Sequence, residues 1–554
     1  MFKKILLATI VLIIIVIAWQ LWPRNETAVP SGPLTSVIQT NSGTIRGFEQ
    51  NGLEVFLGIP YAQPPTGRNR FRPPVAHKPW SSTLEAYGFG HFCPQAYDKV
   101  VIEDPKEDLN DEDCLTLNIW SPGTGQAKRA VMVYIHGGGF IGGSSKEPLY
   151  AGDVIAQKGD VVVVSLNYRL GLLGFLDFSA IEGSDYAGSA DVGIQDQLLA
   201  LRWVKENISA FGGDPNNITV FGESAGGGSA ESLLGIDQPH DYFKRMIVMS
   251  GSPLHTAENT NDIANLIKNE TGISWPFAWQ WMPTQLMMYI QQKVLTAVGS
   301  PLSDLIFAPT YGSGYVIKRS PTEAVAAGNT KGIDLMIGTM ADEMSYWSFY
   351  DTPTSHICEQ TVEDNLFTMV DPTIEPQIQD LYDIYSTNPL RADRTEGEII
   401  LAMGDDYAFR VSAVQLATQQ TSAANTYLYR VDYPINLPEQ PCQNNRSPHG
   451  SELPFVFGRI NDQSGDNFIG PPRDATDSAT REHLSEQMIL VWTKFAKTGD
   501  PNGGDLPNWS VFNGNEQPTM IFSASPHIEN APFLAEYQAM SEFMKSFSVF
   551  DALK

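Results

Sequence analysis

The stretch Ile218-Thr219-Val220-Phe221-Gly222-Glu223-Ser224-Ala225-Gly226 decides how this 554-residue chain is read. Its first four residues form an uninterrupted β-branched and apolar run, the pattern of a strand buried on both faces. The run ends directly on Gly-x-Ser-x-Gly. A serine with a glycine two residues away on either side fits a strand-to-helix turn too sharp for neighbouring Cβ atoms. Such a turn lifts the serine Oγ above the sheet edge. There the backbone N–H groups at the helix start favour developing negative charge. Ser224 is therefore the candidate nucleophile.

Similar apolar runs lie at 130–135, 161–166, 246–249, 335–337 and 427–431. Between two of them, residues 195–207 carry Leu198, Leu199, Leu201, Trp203 and Val204 at helical spacing. Strands alternating with helices predict an α/β fold, a large mostly parallel sheet covered on both faces. No linker or repeat divides the chain, so one domain over 30–554 is expected, preceded by a separate segment at 1–23.

The run at 130–135 ends on His136-Gly137-Gly138-Gly139-Phe140. Three glycines let several N–H groups turn toward one point. Gly138 and Gly139, with the N–H of Ala225, are the expected oxyanion hole. A serine nucleophile also needs a base and an orienting acid, here in the order serine, acid, histidine. Of the histidines beyond Ser224, only His449 sits in a Pro-His-Gly turn shortly after a strand run. His483 reads as a surface position, and His240 and His356 lie beside loops. For the acid, Asp342 and Glu343 both follow the strand at 335–337, where catalytic groups of an open parallel sheet gather. Position does not choose between them. The other carboxylate is expected to complement a helix dipole.

Composition narrows the partners. The net charge of −27 repels phosphate backbones, which argues against nucleic-acid binding. Lys3-Lys4 precedes an apolar run at 5–22 that is followed by Pro23-Arg24-Asn25-Glu26. This run predicts an uncleaved membrane anchor, with secretion after signal cleavage as the alternative. Either way the remainder lies outside the cytoplasm, in a periplasm, a lumen or at a cell surface. The four cysteines, Cys93, Cys114, Cys358 and Cys442, agree with an oxidising compartment. Their spacing points to no metal site. The pattern calls for no cofactor and leaves the oligomeric state open.

Taken together these residues resemble the type-B carboxylesterase and cholinesterase family. The likeness runs over nearly the whole chain after the anchor. It is carried by Phe56-Leu57-Gly58-Ile59-Pro60-Tyr61-Ala62, by Glu112-Asp113-Cys114-Leu115, by Asn167-Tyr168-Arg169 and by the Ser224 signature that begins at Phe211-Gly212-Gly213. The resemblance implies the alpha/beta-hydrolase fold and hydrolysis of a small-molecule carboxylic ester through an acyl-enzyme. It maps the acid to Glu343, the base to His449 and the first disulfide to Cys93–Cys114. Glu223 matches an acidic neighbour of the serine, which supports positive charge, supports the histidine or simply packs. Ser250 matches a serine expected to hydrogen-bond Glu343. The other two cysteines match no usual bridge of the family. Because Cys358 and Cys442 lie near Glu343 and His449 in sequence, a bridge between them is expected. Cholinesterases carry a tryptophan between the first two cysteines to bind quaternary ammonium. Here that loop holds Tyr97 and no tryptophan, so a choline-ester preference is not expected. The family also has non-enzymatic adhesion members, and these form the alternative reading. The aromatic stretch Trp275-Pro276-Phe277-Ala278-Trp279-Gln280-Trp281 is expected to be core before acyl pocket.

Overall fold

The computed structural model describes residues 30–95, 110–251, 255–256, 264–265, 267–269, 276–298, 306–312, 314–349, 358 and 375–546. The apolar run at 5–22, and with it the expected anchor, lies outside the described residues. Among the described residues no helix is long and apolar enough to cross a membrane.

Eleven strands form one sheet. In chain order they are β1 (Phe48–Gln50), β2 (Leu53–Pro60), β3 (Thr116–Ser121), β4 (Arg129–Ile135), β5 (Val162–Leu166), β6 (Gly213–Glu223), β7 (Arg245–Met249), β8 (Asp334–Met340), β9 (Thr426–Val431), β10 (Pro518–Phe522) and β11 (His527–Asn530). Across the sheet they stand β11-β10-β9-β8-β7-β6-β4-β5-β3-β2-β1. The seven from β10 to β5 run parallel. The edges are antiparallel: β3, β2 and β1 on one side and β11 on the other.

The unbroken apolar runs follow from burial on both faces. In β4, Val131, Val133 and Ile135 enter one core, while Met132 and Tyr134 enter the other. In β7, Met246 and Val248 alternate in the same way with Ile247 and Met249. One core is closed by helix α1 (Val192–Asn207), through Leu198, Leu201, Trp203 and Val204. Helix α2 (Ala225–Ser232) starts immediately after Ser224. The opposite core is closed by helix α3 (Ala475–Thr498), through Leu484, Met488, Val491, Trp492 and Phe495. Each face carries a helix because a strand apolar on both sides needs two covers.

Strand order reverses between β4 and β6, which pair in parallel with Ile135 beside Gly222. A crevice opens at such a reversal, beyond the strand C-termini. The glycine loop after β4 and the Ser224 turn after β6 therefore leave the sheet side by side.

Disulfides join Cys93 to Cys114 and Cys358 to Cys442, 21 and 84 residues apart in sequence. Closed bridges of this kind belong to an oxidising compartment, outside the cytoplasm. The aromatic stretch divides. Trp279 is 1% exposed and packs edge-on against Phe178 at 5.7 Å, whereas Trp281 is 62% exposed. Trp275 lies outside the described residues.

Candidate active site

Ser224 has φ 56° and ψ −125°, a region that residues with a Cβ rarely occupy. Two contacts hold the strain. The Ser224 N–H donates to the Met249 carbonyl of β7 at 2.9 Å, and the Ser224 carbonyl accepts from Gly228 of α2 at 2.9 Å. The flanking glycines are required by space. A Cβ on Gly222 would stand 2.3 Å from the Gly226 carbonyl oxygen, and one on Gly226 only 2.0 Å from that of Ile135.

The glycine loop lies against this turn. A Cβ on Gly137 would meet the Ser224 Cβ at 3.1 Å. Gly138 and Gly139 take φ 104° and 61°, and Ala225 opens α2. The start of the glycine loop, at the end of β4, thus lies against the serine, and Ala225 follows that serine at the start of α2.

Glu343 follows β8 and opens a short 3-10 helix, Glu343–Phe349. That turn separates the two adjacent carboxylates. Glu343 Oε2 meets His449 Nδ1 at 2.6 Å. Its Oε1 accepts from Ser250 Oγ at 2.6 Å and from the Met340 N–H at 2.7 Å. Asp342 turns the other way. It accepts from the Ser447 N–H at 3.0 Å and pairs with Arg394 at 2.8 Å. Its partners are thus a backbone amide and an arginine, in place of the expected helix dipole alone. The histidines passed over stay out of the cluster: His240, His483 and His527 are exposed, and His356 lies outside the described residues.

His449 Nε2 makes no aligned hydrogen bond among the described residues, but Glu223 Oε1 lies 3.2 Å from it. Catalytic hydrogen bonds of unliganded enzymes are often loose and tighten with substrate. Burial pulls the imidazole down. Glu223, then Glu343 and Glu452, outweigh that, and the net result is a rise to about 9. Glu223 is itself raised to about 7, first by burial and also by Glu343, against the pull of His449.

Sequence reasoning missed part of this environment. Glu452, three residues beyond His449, is 0% exposed, and burial followed by Glu223 and Glu343 raises its carboxyl well above the usual range. Trp347 and Phe409, whose rings pack on each other at 6.0 Å, flank the imidazole at centroid distances of 5.0 and 4.9 Å, and Tyr346 stands at 5.9 Å. Glu452 was within reach of a reader counting acids around the base. Phe409 comes from a distant π-helical turn, Asp406–Arg410, and left no local signal.

A serine at a strained strand-to-helix turn, beside a glycine loop and a carboxylate-held imidazole, defines an α/β-hydrolase. The sequence profile described as "Carboxylesterase family" matches residues 34–540. The chain belongs to the carboxylesterase family and is a carboxylic ester hydrolase. It is 35% identical over 502 residues to the para-nitrobenzyl esterase of Bacillus subtilis (strain 168), covering 90% of this chain and 96% of that one. It is 30% identical to the acylcarnitine hydrolase of Mus musculus over 504 residues, 86% of each chain. Among solved structures it resembles the Geobacillus stearothermophilus carboxylesterase EST55, with a TM-score of 0.79 and 33% identity over 91% of this chain and 100% of that one.

Proposed function

We propose that the chain hydrolyses small carboxylic esters through Ser224, His449 and Glu343. The observation that carries this reading is that Ser250 Oγ and His449 Nδ1 both donate to the Glu343 carboxylate, on the crevice that displays Ser224. His449 Nε2 takes the Ser224 proton as Oγ bonds to the ester carbonyl carbon. The N–H groups of Gly138, Gly139 and Ala225 receive the resulting oxyanion. His449 then returns the proton to the alcohol oxygen as the C–O bond breaks, leaving an acyl-serine. Water repeats the cycle and releases the acid. Glu343 fixes the imidazole tautomer and stabilises the imidazolium. Glu223 supports that same charge.

The names of two relatives specify para-nitrobenzyl esters and acylcarnitines, so para-nitrobenzyl esters and acyl esters are the substrates to try first. A tagged fluorophosphonate should label wild-type protein and not Ser224→Ala, and p-nitrophenyl acetate turnover should vanish with the label. Unlabelled, non-hydrolysing protein with an intact fold would refute the reading.

We further propose that residues 30–554 form one catalytic domain outside the cytoplasm, tethered by segment 1–23. Two closed disulfides support the compartment. Protease shaving of intact cells should release active domain. Activity appearing freely in the medium instead would favour cleavage and secretion.

A further inference from the structure

Gln95 stands two residues after Cys93, is 1% exposed and takes no part in the hydrogen bonds around His449. Its side-chain amide grips both backbone groups of Gly143. The amide oxygen accepts from the Gly143 N–H at 2.9 Å, and the amide nitrogen donates to the Gly143 carbonyl at 3.0 Å. The same nitrogen donates to the Cys93 carbonyl at 3.0 Å. Both amide donors are thereby used.

Gly143 closes the glycine loop. A Cβ on it would stand 2.4 Å from the Gly137 carbonyl oxygen and 2.6 Å from His136 Nδ1. The loop folds back on Gly138, whose carbonyl accepts from Ile141 at 3.1 Å and Gly142 at 2.9 Å. Gly138, Gly139, Phe140 and Gly143 all take φ between 60° and 104°. For Phe140 that conformation is strained. A loop of this shape is not selected by its own backbone, so surrounding contacts must impose it. On one side these are Tyr168 Oη to the His136 carbonyl at 2.9 Å and the Gly171 N–H to the Phe140 carbonyl at 2.7 Å. On the other side stands Gln95, carried by the Cys93–Cys114 disulfide.

We propose that Gln95 is a positioning residue for oxyanion stabilisation: through Gly143 it fixes the directions of the Gly138 and Gly139 N–H groups. The proposal rests on the reading of Ser224 as nucleophile with those two donors. A donor removed outright from an oxyanion hole typically costs about 10²–10³ in kcat. Donors left in place but misdirected cost less.

The test compares wild type with Gln95→Met, which keeps the side-chain length and loses all three hydrogen bonds. It also uses Gln95→Glu, which keeps an acceptor for Gly143 and loses both donors. Sites are counted by fluorophosphonate titration, so partial unfolding does not register as slow catalysis. Expected is a per-site kcat for p-nitrophenyl acetate lower by roughly 10- to 100-fold with little change in KM. The inhibition constant of an alkyl trifluoromethyl ketone, which forms an oxyanion on the serine, should rise in parallel with the loss of kcat/KM. A per-site kcat within about twofold of wild type in either variant that folds, or a raised KM at unchanged kcat, overturns the proposal. Wild-type protein inert to the fluorophosphonate overturns the Ser224 reading itself, and the proposal with it.

Discussion

Replacing Glu223 with glutamine removes a carboxylate whose Oε1 lies 3.2 Å from His449 Nε2 and leaves the volume nearly unchanged. Two unit charges at that separation interact by about 5 kcal/mol at an effective dielectric near 20. One pKa unit corresponds to about 1.4 kcal/mol, so a fully ionised Glu223 would hold the imidazole up by more than three units. Glu223 is itself raised to about 7, so at the pH near 9 where the imidazole titrates that charge is almost fully present. A drop of about three units in the imidazole pKa is therefore expected on substitution. The sign follows from the chemistry. His449 must be neutral to take the Ser224 proton, and an imidazole raised to about 9 is mostly protonated at pH 7. The acid limb of kcat/KM should lie at alkaline pH in the wild type and move to lower pH in Glu223→Gln. The fraction of plateau activity retained at pH 7 should rise. The plateau itself should fall by about tenfold, since the carboxylate also stabilises the imidazolium of the transition state. The assay is kcat/KM from pH 5 to pH 10, per titrated site, since that ratio reports the free enzyme. An acid limb that stays in place or moves to higher pH would refute the assignment of Glu223 to His449.

Three further outcomes follow from the same geometry. Ser250→Ala removes one of two groups donating to Glu343 Oε1 and should lower kcat by about tenfold while KM stays constant in steady-state assays. Glu231, 8% exposed in α2, is raised to about 8 by burial alone. The native state then binds more protons than the unfolded chain between about pH 4.5 and 8, so stability falls as pH rises through that window. Denaturant unfolding at pH 5 and pH 8 should show a loss of stability that is smaller by a few kcal/mol in Glu231→Gln, the remainder coming from Glu223, Glu452 and His449. Replacing Cys358 and Cys442 by serine opens a loop of 84 residues and should cost about 4 kcal/mol in the same unfolding assay.

The centre of the sheet was legible because its strands are buried twice. Runs such as 130–135 and 246–249 have no exposed face to interrupt them, and β4 and β7 sit within a residue of where they were expected. The edges were not legible. In β1 only Phe48 is buried, and Glu49 and Gln50 face solvent, so three residues leave no pattern to count. β6 begins at Gly213, five residues before its apolar run, because Gly213 pairs with Arg129 of β4 and the polar residues after it form an irregularity before pairing resumes at Ile218 with Val131. Within the site, Ser224 and the glycine loop were readable for a local reason: their backbones need glycine at fixed positions. The rings of Trp347 and Phe409 around His449 had no such requirement. Tertiary packing alone brings them there.

The pair Asp342–Glu343 shows why pattern stopped short of the acid. Both residues leave the same strand end, and nothing in their order ranks them. The 3-10 turn that starts at Glu343 aims one side chain at the imidazole and the other at Arg394 and the Ser447 amide. The two carboxylates then act on one loop from two sides. Glu343 holds His449 by its ring, while Asp342 holds Ser447, two residues earlier, by its backbone. The Asp342 N–H also donates to the Ser447 carbonyl at 3.1 Å, and the His449 N–H to the Glu343 carbonyl at 3.3 Å. Beyond them Arg446 pairs with Glu398, and Cys442 ties the same segment to Cys358. A base on a loop loses catalytic geometry through small displacements of its backbone. Here that backbone is fixed at four successive points before the imidazole is reached. The acid that orients the ring and the acid that orients the loop are neighbours because a single turn must serve both.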